Sequence, residues 1–124
     1  MPPDHRPALA VSGERLAAQH LERRGFDVLA KNARTRFGEI DLIAHGENTL
    51  VFVEVKTRRA GGTAGTPLEA ITPRKTRQVR RLAAAWLNDT PTRPSADEIR
   101  FDAVGVTVDG QGTLVSLDHV EAAF

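Results

Sequence analysis

The sequence predicts an α/β fold with a helix on each face of a mixed sheet and the element order α-β-β-β-α-β-β. Three observations predict it. Two strand-like runs, Glu39-Ile-Asp-Leu-Ile-Ala44 and Leu50-Val-Phe-Val-Glu-Val-Lys56, flank the short polar stretch His45-Gly-Glu-Asn48 and read as a hairpin. An amphipathic segment follows, with Val79, Leu82, Ala83, Trp86 and Leu87 at i, i+3, i+4, i+7 and i+8. A further alternating run, Ile99 to Val108, reads as a buried strand, so the helix before it can serve as the crossover of a parallel pair.

The remaining elements follow in chain order. Leu9 to Arg24 predicts the first helix, with Leu16, Ala17, His20 and Leu21 near one stripe and Gly25 as its stop. Phe26 to Ala33 alternates weakly and predicts a short strand. Arg59 to Pro67 predicts a flexible loop whose glycines fit neither phosphate-binding fingerprint. Thr72 is the expected N-cap of the second helix, with Pro73 at its first position. Asp109-Gly110 predicts a turn into a last strand around Thr113 to Leu117.

With 124 residues the chain is near the usual size of one domain, roughly 100–150 residues, and a single domain over 1–124 is expected. No apolar run approaches the roughly 18 residues of a membrane helix, and the start lacks the apolar stretch of a signal peptide, so a cytoplasmic protein with no membrane partner is expected. The absence of Cys excludes disulfides, a thiol nucleophile and thiolate-held zinc or iron–sulfur. The four His show no metal-binding spacing, so any metal would be held by oxygen.

Charge is focal. Residues 55–88 carry eight Lys and Arg against one Glu, while 89–124 carry two against seven acids, all within a formal net charge of +1. The basic segment contains Lys56, Arg58, Arg59, Arg74, Lys75, Arg77, Arg80 and Arg81, a pattern that fits either polyanion binding or a solvated helix face. Arg74 and Lys75 stand in the first turn of the second helix, where the macrodipole disfavours cations, and so suit an anion there.

Acids occur where a buried hairpin should have none. If the turn is centred on Glu47-Asn48, paired residues sum to 95 and Asp41 falls opposite Glu54, with Asp41 on the face of Glu39 and Ile43. Like charges so placed require a cation. Lys56 is one candidate, in a structural network, and a two-residue shift of register would pair Asp41 with Lys56 directly. A divalent ion is the other, with Asp41, Glu54 and the Val55 carbonyl as ligands and Lys56 acting on a water; the spacing leaves both open. Glu14 falls on the inward stripe of the first helix with Ala17, Ala18 and Leu21, although the helix dipole alone also favours an acid there.

The pair Gly38-Glu-Ile-Asp-Leu-Ile-Ala44 and Val51-Phe-Val-Glu-Val-Lys-Thr-Arg58 resembles the YraN-like family of uncharacterised bacterial proteins. Gly13-Glu14, Leu21 to Gly25, Pro73-Arg74-Lys75 and Arg100-Phe-Asp-Ala-Val104 extend the likeness over most of the chain. That family is similar to PD-(D/E)xK nucleases, notably Holliday-junction resolvases and restriction endonucleases, and so implies a three-layer α-β-α, restriction-endonuclease-like core. The resemblance makes Asp41 and Glu54 metal-binding acids, Lys56 the catalytic lysine and Glu14 the helix-borne acid. Ile40 departs from the motif's Pro, which supplies shape and no chemistry. Lys75 or Gln78 would take the polar second-helix position.

The expected function is a Mg²⁺- or Mn²⁺-dependent nuclease acting on nucleic acid, DNA foremost, with Arg58, Arg74, Lys75, Arg77, Arg80 and Arg81 on the backbone. A homodimer is a further expected option. The rival is a non-catalytic nucleic-acid-binding or adaptor module that keeps the acid–lysine cluster as a structural network.

Overall fold

The computed structural model describes residues 8–62, 69 and 71–124, so most of the expected glycine-rich loop, from residue 63 on, lies outside the described residues. The elements are α1 (Ala8–Arg23), β1 (Asp27–Thr35), β2 (Gly38–Gly46), β3 (Thr49–Arg59), α2 (Pro73–Asp89), β4 (Glu98–Val108) and β5 (Leu114–Val120). The five strands form one sheet in chain order. β1–β2, β2–β3 and β4–β5 pair antiparallel and β3–β4 pairs parallel, with α2 in the crossover. The order and mixed sheet are those of an α/β restriction-endonuclease-like fold.

Local chemistry explains the boundaries. Gly25 adopts φ +90°, while Gly25 N–H donates to Glu22 C=O and Phe26 N–H to Leu21 C=O, the paired bonds of a glycine-terminated helix. At α2 the Thr72 hydroxyl accepts from Lys75 N–H at 3.1 Å ahead of Pro73. Glu47 and Asn48 both have positive φ, 51° and 59°, as a two-residue hairpin turn requires. The pairs Leu42↔Val53 to Gly46↔Thr49 all carry the register centred on that turn, which excludes a two-residue slip.

Each face of the sheet holds a core. Ala17, Ala18 and Leu21 of α1 pack on Leu42, Ala44, Val51, Val53, Val104, Val106 and Val108. Leu82 and Ala83 of α2 pack on Ile40, Ile43, Leu50 and Phe52. Two expectations need correction. β4 is buried only from Asp102 onward, and Ile99 is 49% exposed because it borders an open pocket between Leu87 at the end of α2 and the Pro91–Ala96 connection, which leaves it incompletely covered. β2 does not alternate throughout: Ile40 and Leu42, two apart, join opposite cores, so the strand turns over at Asp41 where its pairing with β3 ends.

Close approach of α1 to β3 depends on Gly13. A Cβ there would lie 1.7 Å from the Thr57 hydroxyl oxygen and 2.7 Å from Thr57 Cβ. Gly13→Ala should therefore destabilise the protein by about 1–3 kcal/mol despite the better helix propensity of Ala. Thr57→Gly in the same chain should recover most of the loss in thermal unfolding, and a neutral Gly13→Ala would contradict this packing.

Candidate active site

Asp41 stands where β2 parts from β3. Past Leu42↔Val53 the Val55 N–H leaves the ladder and donates to Asp41 Oδ2 at 2.8 Å. Glu54, on the adjacent strand, shares the α2 face with Leu50 and Phe52 and accepts an ion pair from Lys75 Nζ at 2.8 Å. Burial first, and then the charge of Glu54, push the Asp41 carboxyl up to about 7. Glu14 adds to the rise, while the Val55 N–H and Lys75 oppose it. Glu14 of α1, Glu54 of β3 and Lys75 of α2 thus all act on Asp41 of β2, with Lys75 as the cation.

The sequence-derived residues divide accordingly. Glu14, Asp41, Glu54 and Lys75 act on one another, which distinguishes Lys75 from the exposed Gln78. Lys56, two residues past Glu54 along β3, is exposed and forms no ion pair among the described residues, so Lys75 is the cation on Glu54. Of the other basic residues, Arg58 Nε donates to Thr107 Oγ1 at 3.2 Å. Arg80 lies over the Phe101 ring at 4.6 Å and donates to the main-chain oxygen of Phe124, and Arg81 lies over Phe37 at 3.8 Å. Arg74 and Arg77 are exposed on the same helix.

Among the described residues no three His, Asp or Glu are gathered to hold a metal. Two carboxylates are nonetheless the number Mg²⁺ commonly takes from protein, the rest being waters and substrate oxygens. Asp41 and Glu54 offer hard oxygen donors with an excess of negative charge between them, so the donor set fits Mg²⁺ or Mn²⁺.

Residues 13–106 match the sequence profile of a family described as "Uncharacterised protein family UPF0102". The chain is 45% identical over 120 residues to a UPF0102 protein of Rhodococcus opacus, covering 97% of this chain and 98% of that one. This chain belongs to the UPF0102 family. UPF0102 relatives in Acidothermus cellulolyticus, 48% identical over 109 residues with 82% of each chain covered, and in Geobacter sulfurreducens, 42% over 122 residues with 97% and 91% covered, carry the same match. The YraN-like resemblance read from the hairpin motifs is this membership. No helix of this UPF0102 protein, among the described residues, is long and apolar enough to cross a membrane.

A second polar network escaped the sequence reading. Asp102 of β4 is fully buried, yet it accepts two bonds from Arg100, at 2.9 Å each, one from Ala122 N–H and one from His119 Nε2 at 2.8 Å. Burial opposes its ionisation, but these donors hold it below the usual carboxylate range. His119 Nδ1 in turn lies 3.0 Å from His20 Nε2, which joins β5 to α1. Nothing local signals a set of residues spread over positions 20 to 122; the one available clue was an Asp in an otherwise apolar strand.

Both networks make stability depend on pH, in opposite directions. Native Asp41 keeps its proton to about pH 7, whereas an unfolded Asp releases it near about pH 4, so stability falls as pH rises between those values. Asp41→Asn keeps an acceptor for Val55 N–H and removes the charge. In chelator it should be more stable than the parent by about 1 kcal/mol at about pH 8, with the gap closing near about pH 4, as denaturant melts would show.

Burial and the neighbouring His119, Arg24 and Arg23 hold the His20 imidazole below its usual value. The unfolded chain then binds the extra proton first, and stability falls as pH drops through about 6.5. His20→Gln should flatten that limb, so the melting temperature of the parent should fall more between about pH 7.5 and about pH 5.5 than that of the variant.

Proposed function

We propose that this UPF0102 protein is a divalent-metal-dependent nuclease that hydrolyses phosphodiester bonds, with DNA as its foremost substrate. The observation that carries this reading is the placement of Asp41 and Glu54 side by side where the β2–β3 ladder ends, with Asp41 largely buried and the Glu54 charge acting on it. A bound cation would offset both the burial of Asp41 and the charge of Glu54 beside it. Asp41, Glu54 and the Val55 carbonyl would hold Mg²⁺ or Mn²⁺, which supplies Lewis acidity and a water of lowered pKa when bound.

The chain's own residues have separable tasks. Val55 N–H orients the Asp41 carboxylate, and Lys75 orients that of Glu54. Exposed Lys56, two residues past Glu54 along β3, can reach an attacking water or a scissile phosphate oxygen. Arg74 and Arg77 present cations on the helix that carries Lys75, suited to phosphates either side of the bond.

The Glu54–Lys75 pair favours a second reading, a non-catalytic nucleic-acid-binding module in which Lys75 completes a structural network. Two measurements separate them. A nuclease should cut a panel of labelled branched, single-stranded and duplex DNA with Mg²⁺ or Mn²⁺, and Asp41→Asn and Lys56→Ala should each lose at least about 100-fold in rate. The parent should also gain about 2.7 kcal/mol in stability at a Mn²⁺ concentration a hundredfold above Kd, with Asp41→Asn losing most of that gain. Stability indifferent to Mn²⁺, together with no cleavage, would leave the binding module.

A further inference from the structure

The β1–β2 turn carries an aromatic residue in an unusual setting. Phe37 is 37% exposed, with the Arg81 guanidinium 3.8 Å from its ring centroid and that of Arg36 at 4.9 Å. The turn is rigid: Thr35 Oγ1 accepts from Phe37 N–H at 3.1 Å and donates to Gly38 C=O at 2.8 Å. It also rests on α2, since a Cβ on Gly38 would touch Leu82 at 3.4 Å. An exposed ring thus has two cations against it, on a turn braced by the helix that carries Arg74, Lys75 and Arg77.

We infer that Phe37, flanked by Arg36 and Arg81, is a stacking platform for an unpaired base of a nucleic-acid substrate. The inference rests on the nuclease reading and narrows its substrate to DNA with a single-stranded segment beside the cleavage site. A cation over an exposed ring shifts an equilibrium only about two- to fivefold. A base stacked on an aromatic ring shifts it about five- to a hundredfold. Exchange of exposed Arg36 for a base is therefore favourable, and the released guanidinium is free to pair with the neighbouring phosphate. Duplex DNA keeps its bases stacked on one another and offers no such face, so the platform discriminates by pairing state and not by sequence.

Position sets the spacing. Phe37 precedes Asp41 by four residues, about 13 Å of extended strand, which corresponds to three or four stacked nucleotides at about 3.4 Å each. The unpaired base should lie that far from the bond to be cut.

The test uses a duplex with a single-stranded tail that carries 2-aminopurine at successive positions, in chelator so that nothing is cleaved. The parent should quench the fluorophore at one tail position. Phe37→Trp should retain the quenching. Phe37→Leu, which keeps the apolar contact but removes the π face, should lose it and bind the tailed duplex about tenfold more weakly, with blunt duplex affinity changed less than about twofold. If Phe37→Leu leaves quenching and affinity unchanged while Arg74→Ala with Arg77→Ala weakens binding, the platform is refuted and nucleic-acid binding stands. A parent that binds neither DNA overturns both. If Phe37→Leu converts a dimer to a monomer with DNA binding intact, the ring belongs to a contact between copies of the chain and the inference falls.

Discussion

The register of the β2–β3 hairpin is the constraint on which the site depends. A two-residue turn with positive φ at Glu47 and Asn48 admits one alignment, and that alignment carries Asp41 and Glu54 to corresponding positions one step beyond the last pair, Leu42↔Val53. A one-residue slip would reverse every side chain of β3, moving Val51 and Val53 out of the α1 core and Phe52 out of the α2 core. Two buried cores therefore hold the acids in place, and the acids cannot relieve their repulsion by sliding.

Other contacts take up the two carboxylates. The ladder ends, β2 turns over so that Ile40 and Leu42 join different cores, and Val55 N–H donates to a carboxylate in place of a strand carbonyl. Gly13 lets α1 approach β3 closely enough for Glu14 to act on Asp41, and the capped start of α2 brings Lys75 to Glu54. One mismatch in an otherwise regular hairpin thus draws a charged group from each layer.

The Asp102 network performs a different task on the α1 face. A buried carboxylate with four donors ties β4 to the segment after β5 through Ala122 and to α1 through His119 and His20. Arg24 extends it to Glu121 at 3.0 Å. β5, with four of its seven residues exposed, is held by its pairing with β4 and by these polar contacts as well as by Leu117 and Val120 against the cores.

The sequence by itself determined the element order, the stop of α1 and the start of α2, the last two because they rest on contacts close in the chain: Gly25 with Leu21 and Glu22, and Thr72 with Lys75. It left two hairpin registers open, and the positive φ of Glu47 and Asn48 with the pairs from Leu42↔Val53 to Gly46↔Thr49 chose between them. It also marked Asp41 and Glu54 as acids out of place, since period-two patterning makes a charge among valines conspicuous. Membership of the UPF0102 family was legible in the same motifs. Only the tertiary structure decided which cation meets which acid. Lys56 is near Glu54 in sequence, but Lys75 reaches it, because a helix laid across a sheet brings together residues that no local period relates. Phe37 against Arg81 and His20 against His119 belong to the same class: pairs 44 and 99 positions apart whose contact depends on how α2 and α1 lie on the sheet, a geometry set by the packing of both cores.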